Sequence, residues 1–156
     1  MGEASPARVV ADADVLAADL LCAGDARAAL DHVRRHSWVR LVASDALLDE
    51  AQAVIADLAD PALAGDWRDR IEAEREPVDH PEGDHPALAS AYRGEAAHVL
   101  SYDEALGSAE TGMALQEHMQ VSVRTPDAFA ALFDAESLYE LVADGAYPGP
   151  DCDPRA

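Results

Sequence analysis

Short apolar runs alternate with amphipathic stretches along most of this chain of 156 residues. The apolar runs have the length and composition of strands buried on both faces, and the stretches between them carry apolar residues at helical spacing. Strands that alternate with helices form parallel sheets covered by helices. The sequence therefore predicts an α/β fold, a three-layer α/β/α domain with a mainly parallel central sheet.

The same patterns predict the individual elements. Strands are expected over residues 8–12, 38–44, 97–102 and 121–124, and a first helix ends before Gly24. Further helices are expected over 25–36, 45–59, 61–75, 86–95, 103–119, 125–133 and 134–143. The segment 76–86 contains three prolines and a glycine and is predicted to be a loop. We assign residues 1–145 to a single domain and 146–156 to a Pro/Gly-rich C-terminal tail.

The charge of the chain is unusual: 31 acidic residues against 11 basic ones give a net charge of −20. Acids occur on every segment, so self-repulsion would destabilise the compact state at low salt. At molar salt the Debye length is about 3 Å and this repulsion is largely screened. We interpret the excess acid as adaptation to a very salty cytoplasm. An acidic surface evolved for a basic partner is the alternative.

Cys22 and Cys152 are the only cysteines, and we expect no structural disulfide between them. Neither a signal peptide nor an apolar run long enough to span a membrane is visible. The expectation is a cytoplasmic protein without a membrane partner.

Several carboxylates fall at predicted strand ends. Asp12 ends the first strand, Asp103 follows the third, and Asp84 precedes the helix that leads into that third strand. Glu50 lies in the helix after the second strand. Ligands of open α/β sheets bind outside the carboxyl ends of the strands. Clustered acids stay ionised together only beside a cation, and oxygen ligands suit Mg²⁺ or Mn²⁺. Simple helix capping by these acids is the alternative that spacing leaves open.

Four segments resemble the PIN domain, the fold of many metal-dependent ribonucleases. They read "VVADADVL", "SDALLDEAQAVI", "DHPALASAYRGEAAHVLSYDEAL" and "VSVRTPDAFAALF", and together they span roughly residues 8–133. The third segment is the most specific, because it combines an Asp, a helix of small residues, a strand and Ser-x-Asp. Among PIN-like proteins, the chain is most similar to a group from halophilic archaea, in agreement with its charge.

The resemblance implies a metal-dependent ribonuclease that hydrolyses RNA phosphodiester bonds with Mg²⁺ or Mn²⁺. The catalytic metal ligands that it implies are Asp12, Glu50, Asp84 and Asp103. Residues that would support them are Asp14, Ser101 and Glu104. At the position of Glu104 the family commonly has a basic or small residue, which is a departure from its pattern. RNA contacts are expected from Arg93 and Arg40.

The resemblance also implies partners. Many small PIN proteins are the toxins of toxin–antitoxin pairs, so an antitoxin protein could cover the site. Many PIN domains form homodimers, to which the segment "AALFDAESLYELV" could contribute.

Other functions stay open at this point. One is a PIN-like domain that binds nucleic acid or protein without cleaving it. Another is a different metal phosphohydrolase, although the chain lacks a Gly-rich phosphate loop of the GxxxxGK[ST] type. A zinc site at His80 and His85 is a third, but no cysteine or second histidine pair is spaced to complete it.

Overall fold

A central sheet of five parallel strands organises the chain, whose computed structural model describes residues 4–79, 85–103, 106 and 121–155. The spatial order of the strands is β3-β2-β1-β4-β5. Their bounds are Ser5–Ala11 for β1, Arg40–Ser44 for β2, Glu76–Val78 for β3, Ala96–Leu100 for β4 and Ser122–Arg124 for β5. The predicted α/β class and parallel sheet are confirmed.

Seven helices flank the sheet within the described residues. They are α1 (Ala13–Leu21), α2 (Gly24–Arg34), α3 (Asp45–Leu58), α4 (Pro61–Glu74), α5 (Pro86–Arg93), α6 (Pro126–Leu132) and α7 (Ala135–Val142). These bounds agree with the sequence patterns, while the helix expected over 103–119 lies almost entirely outside the described residues. No helix in the described part is both long and apolar enough to cross a membrane.

The loop predicted over residues 76–86 is wrong at its start, where the structure has the strand β3. β3 pairs with β2 alone and so lies at the edge of the sheet, with Pro77 opposite Ala43. Proline cannot donate to a ladder, but an edge strand has one side without a partner strand. The edge position of β3 is therefore compatible with its proline.

The strand order places a topological switch between β1 and β4. From β1 the chain moves outward through β2 to β3, and then returns to the other side of β1 to form β4 and β5. Ala11 lies opposite Leu100, and the N–H of Asp12 donates to the carbonyl of Leu100 over 2.8 Å. The carboxyl ends of β1 and β4 therefore lie side by side, where α/β folds bind ligands.

The C-terminal residues 147–155 pack against α2 and the turn that follows it. The hydroxyl of Tyr147 lies 2.7 Å from Nε2 of His36, which is buried. Near the other end of this segment, Nη2 of Arg155 lies 2.7 Å from Oδ2 of Asp31. We call residues 147–155 the C-terminal segment.

Gly94, which ends α5, provides a test of the packing between that helix and β2. A Cβ at this position would overlap Cγ1 of Val42 and lie 3.0 Å from the carbonyl oxygen of Ser90. We expect Gly94→Ala to lower the free energy of unfolding by about 1–3 kcal/mol, the usual effect of overpacking a core. Urea unfolding measures this change.

Gly65→Ala is the matched control, since a Cβ at Gly65 on α4 meets nothing within 4 Å. Alanine has the higher helix propensity, so this variant should be as stable as the original chain or more stable. Equal effects of the two substitutions would contradict the close contact between Gly94 and Val42.

Candidate functional site

Asp12 is a buried carboxylate at the end of the central strand, with a relative exposure of 6%. It is also the N-cap of α1, and its carbonyl accepts from the N–H groups of Val15 and Leu16. Its Oδ1 accepts from the N–H of Ala13 over 2.8 Å. The positive end of the α1 dipole lies at this position and stabilises a negative charge there. The transition from β1 to α1 at Asp12 thus provides a place where a buried carboxylate is stabilised.

Ser101 connects the ends of β1 and β4 through its side chain. Its hydroxyl donates to Oδ2 of Asp12 over 2.8 Å and accepts from the N–H of Asp103 over 3.0 Å. The backbone N–H of Ser101 donates to the carbonyl of Arg124 at the end of β5. Ser101 is buried, so its hydroxyl has a fixed position and orients the Asp12 carboxylate.

Asp14 adds a second carboxylate to the site. Its Oδ2 accepts from the N–H of Tyr102 over 3.0 Å, while its Oδ1 is buried without a hydrogen-bond partner in the described part of the chain. Burial raises the pKa of Asp14, and the charges of Asp12 and Asp103 raise it further. A cation beside Oδ1 would offset the desolvation of this carboxylate and its repulsion by Asp12 and Asp103.

Asp103 brings the third carboxylate and is exposed. It follows Tyr102, whose side chain is 45% exposed. Burial and the negative charges of Asp25 and Asp14 raise the pKa of the Tyr102 phenol. The described site is therefore strongly acidic, with one aromatic ring beside its carboxylates.

Among the other acids of the predicted site, Glu50 is the one that lies within the described residues. Glu50 is exposed on the second turn of α3, and no hydrogen bond or ion pair joins it to the three carboxylates within the described residues. Asp84 and Glu104 lie outside the described residues. His85, next to Asp84, is the N-cap of α5, and its Nδ1 accepts from the N–H of Ala87.

The two arginines predicted to contact RNA lie near the amino ends of the strands, whereas the acidic cluster lies at the carboxyl ends. Arg40 is the first residue of β2 and is in register with Arg8, four residues before Asp12. At about 3.3 Å per residue, it lies roughly 13 Å from the end of β1 along the strands. Arg93 ends α5, and Ser5 pairs with Glu95 two residues later, so this helix runs away from the acidic cluster. The prediction of Arg93 was based on the start of its helix next to Asp84, and the structure places Arg93 at the other end of that helix.

Arg124 is a basic residue at the carboxyl end of β5 that the sequence reasoning did not consider. It ends β5 opposite Leu100, and its carbonyl holds the N–H of Ser101. Its charge also lowers the pKa of His98, after the larger effect of burial on that ring. Its position as the last residue of a predicted strand was the signal that could have identified it.

The donors of the site suit a hard divalent cation, but those described do not complete a ligand set. Carboxylate oxygens are preferred by Mg²⁺ and Mn²⁺, and the unpartnered Oδ1 of Asp14 is such a donor. Across residues 4–79, 85–103, 106 and 121–155, no three His, Cys, Asp or Glu side chains form a group that could hold a metal ion. The predicted ligand Asp84 is outside those ranges.

Comparison with known proteins gives one match. The model of a family described as of unknown function, DUF7384, matches residues 3–155, which is nearly the whole chain. No curated protein and no solved structure matches significantly.

Asp14→Asn tests the electrostatics of the cluster. The pKa of Asp14 is raised in the folded protein, so folding loses stability as the pH rises from the ordinary value of 3.8 through that raised value. Asparagine keeps an oxygen for the N–H of Tyr102 and carries no charge. Without divalent cations at neutral pH, we expect a melting temperature about 2–4 °C higher, the effect of about 1 kcal/mol in such a domain. The difference in melting temperature between the variant and the original chain should disappear at a pH below 3.8, the ordinary pKa of the carboxyl group.

The matched control is Asp57→Asn on the exposed face of α3, which should leave the melting temperature unchanged. Added Mn²⁺ should stabilise the original chain more than the Asp14 variant. An Asp14→Asn protein that melts lower than the original chain at neutral pH would contradict the electrostatic argument.

Proposed function

We propose that this chain, which belongs to the DUF7384 family, is a metal-dependent ribonuclease of the PIN type. Its active site would be the acidic cluster at the carboxyl ends of β1 and β4. The family is of unknown function, so the proposal depends on the geometry of this cluster and on the resemblance of the sequence segments to PIN domains.

One observation carries the proposal. The buried carboxylate of Asp12 is held by the hydroxyl of Ser101, which also accepts from the N–H of Asp103. The residues of the Ser-x-Asp motif thus meet the Asp of the first motif at the switch point of the sheet, where α/β folds bind ligands. Helix capping alone explains Asp12, but it does not explain why Asp14 and Asp103 share the same site.

Mg²⁺ or Mn²⁺ would be held by Asp12 and Asp103, with Glu50 and Asp84 as the further ligands that the resemblance implies. Such an ion acidifies a bound water and neutralises charge on phosphate oxygens. The residues of the chain have separate tasks. Ser101 fixes the orientation of Asp12, and Asp14 contributes a buried negative charge that favours cation binding.

RNA must approach a protein whose net charge is −20. At molar salt this repulsion is screened, and so is the attraction of arginines for phosphate, which leaves hydrogen bonds and stacking. Tyr102 offers an exposed ring beside the carboxylates, and bases stack on such rings. Arg124 ends β5 beside the carboxyl end of β4 and is the arginine proposed to contact RNA.

A non-catalytic PIN-like domain that binds nucleic acid or protein is the second candidate. It is favoured by the shortage of basic residues for gripping RNA, 11 against 31 acidic ones. Partners in either case would be RNA, an antitoxin protein or a second copy of the chain, in the cytoplasm. These partners are predictions from the sequence.

The test of catalysis is cleavage of RNA by the purified protein in about molar KCl, where charge repulsion is screened. We expect cleavage that requires Mn²⁺ or Mg²⁺ and is abolished by Asp12→Asn and by Asp103→Asn. Ser101→Ala should reduce the rate by about 10–100-fold, the usual effect of removing a group that orients a metal ligand. Gel analysis of a labelled RNA measures all these rates.

Asp57→Asn is again the matched control and should cleave at the original rate, since this residue is exposed on α3. Equal activity in the original chain and in the Asp12 and Asp103 variants would refute the ribonuclease assignment. Binding of RNA without cleavage in any divalent metal would favour the non-catalytic candidate.

The part of Arg124 can be tested separately through substrate binding. We expect Arg124→Gln to raise KM for RNA by about tenfold, the loss of roughly one charged hydrogen bond, with a smaller change in kcat. Arg93→Gln is the matched control near the amino ends of the strands and should leave KM unchanged. A KM that changes with Arg93→Gln and not with Arg124→Gln would contradict the proposed contact between Arg124 and RNA.

A further inference from the structure

A cavity lined by arginines lies between α1, α2, α4 and the C-terminal segment, away from the acidic cluster. Its volume is about 190 Å³. The arginines on its wall are Arg27, Arg34, Arg70 and Arg155, out of 11 basic residues in the whole chain. Such a concentration of positive charge is unexpected in a protein with a net charge of −20.

Two of these arginines are paired with buried acids. Nη1 of Arg34 lies 2.9 Å from Oδ1 of Asp19 and 3.0 Å from Oδ1 of Asp31. Arg155 contacts the other oxygen of Asp31. These contacts fix the direction of both guanidinium groups, and their hydrogen-bonded network links α1, α2 and the C-terminal segment.

With the other two arginines, the charges of the side chains that line the cavity sum to a positive value. Nε of Arg70, which is exposed, lies 3.1 Å from Oε1 of the half-buried Glu74. Arg27 donates to the carbonyl oxygens of Asp19 and Leu20 at the end of α1, and no carboxylate pairs with it within the described residues. A carbonyl carries only a partial charge. Among the residues that line the cavity, four are arginines and two are acids, Asp19 and Glu74.

One wall of the cavity is apolar. Trp67 and Ile71, on α4, both line it and are only 7% and 2% exposed. A second cavity, of about 330 Å³, adjoins it and shares Arg34, Glu74 and Pro154. Leu30 and Leu41 are among the apolar residues that line the second cavity. Positive charge at one end and apolar surface beside it suit an organic anion better than a bare ion.

We infer that this cavity binds a small phosphorylated organic molecule, with the phosphate held by Arg27 and Arg70. Guanidinium groups bind phosphate through paired hydrogen bonds, and a phosphate offers more acceptor oxygens than a carboxylate does. Because Pro154 and Arg155 form part of the wall, the ligand would also contact the C-terminal segment.

This site is distinct from the proposed ribonuclease site. Asp12 begins α1 and Asp19 lies near its other end, which places the two sites about 10 Å apart along the helix axis. The inference does not depend on RNA cleavage, and its test has no catalytic readout.

The fluorescence of Trp67 provides the measurement. The chain has two tryptophans, so Trp38→Phe leaves Trp67 as the single reporter. AMP is the probe, titrated in about molar KCl so that non-specific attraction is screened. We expect a saturable change in emission with AMP and none with adenosine, which lacks the phosphate. A 5′-phosphorylated RNA oligonucleotide is titrated in parallel.

Substitutions in this single-tryptophan background assign the response to the arginines. Arg27→Gln should weaken AMP binding by about tenfold or more, as expected for a lost charged hydrogen bond. Arg35→Gln, an exposed arginine directly after α2, is the matched control and should bind AMP as before. Because Arg27 also caps α1, circular dichroism is used to check that the Arg27→Gln protein is folded. If Arg27→Gln unfolds the protein, Arg70→Gln on the exposed side of α4 gives the decisive result.

Three results would overturn the inference. Adenosine that binds as tightly as AMP would show that the phosphate is not recognised. Unchanged AMP binding in folded Arg27 and Arg70 variants would show that these arginines only stabilise the structure. Binding of the phosphorylated oligonucleotide without binding of AMP would exclude a small-molecule ligand.

Discussion

The burial of the Asp12 carboxylate at the end of β1 is the constraint on which the site depends. A buried carboxylate requires hydrogen-bond donors, and Asp12 obtains one from the first turn of α1 and one from Ser101. The second donor is in place only if β4 pairs with β1 in the observed register. Ser101 is in turn held by β5 through the carbonyl of Arg124. Ser101 thus links the central strand and its neighbour through its side chain, and the edge strand β5 through its backbone N–H.

The elements of the fold were largely predictable because their signals are local. Helix starts such as Ser44 and Asp60 combine a capping side chain with apolar residues at helical spacing, and both side chains accept hydrogen bonds from the turn that follows. β3 was not predictable in the same way. Its three residues include Pro77 and lack an apolar run, and it becomes a strand only through its pairing with β2. Such pairing is not visible in the local pattern.

The candidate site was predictable where it depends on the ends of strands. Asp12 ends one predicted strand, Ser101 lies at the end of another and Asp103 directly follows it, so their meeting requires only that β1 and β4 be neighbours. The arginines were harder, because the side of the sheet that a residue occupies depends on the direction of its element. Arg93 is close in sequence to Asp84, yet it lies at the far end of α5.

The arginine-lined cavity has no sequence signature. The four arginines come from the first and last turns of α2, from α4 and from the C-terminal segment: Arg27, Arg34, Arg70 and Arg155. Arg27 and Arg34 are seven residues apart and so share a face of α2, but no spacing along the chain relates them to Arg70 or Arg155. Only the tertiary arrangement of α2, α4 and the C-terminal segment around the cavity brings them together.

The pairing of β1 with β4 also has a consequence for the folding pathway. Asp12 and Ser101 are separated by 89 residues, so their hydrogen bond closes a long loop of the chain. The pairing of β1 with β2 closes a much shorter loop and has the smaller entropic barrier. The half of the sheet with β1 and β2 is thus favoured to form first, and the arrival of β4 brings the acids together afterwards. The electrostatic repulsion of the site is then a late kinetic barrier, so salt should accelerate folding as well as stabilise the folded protein.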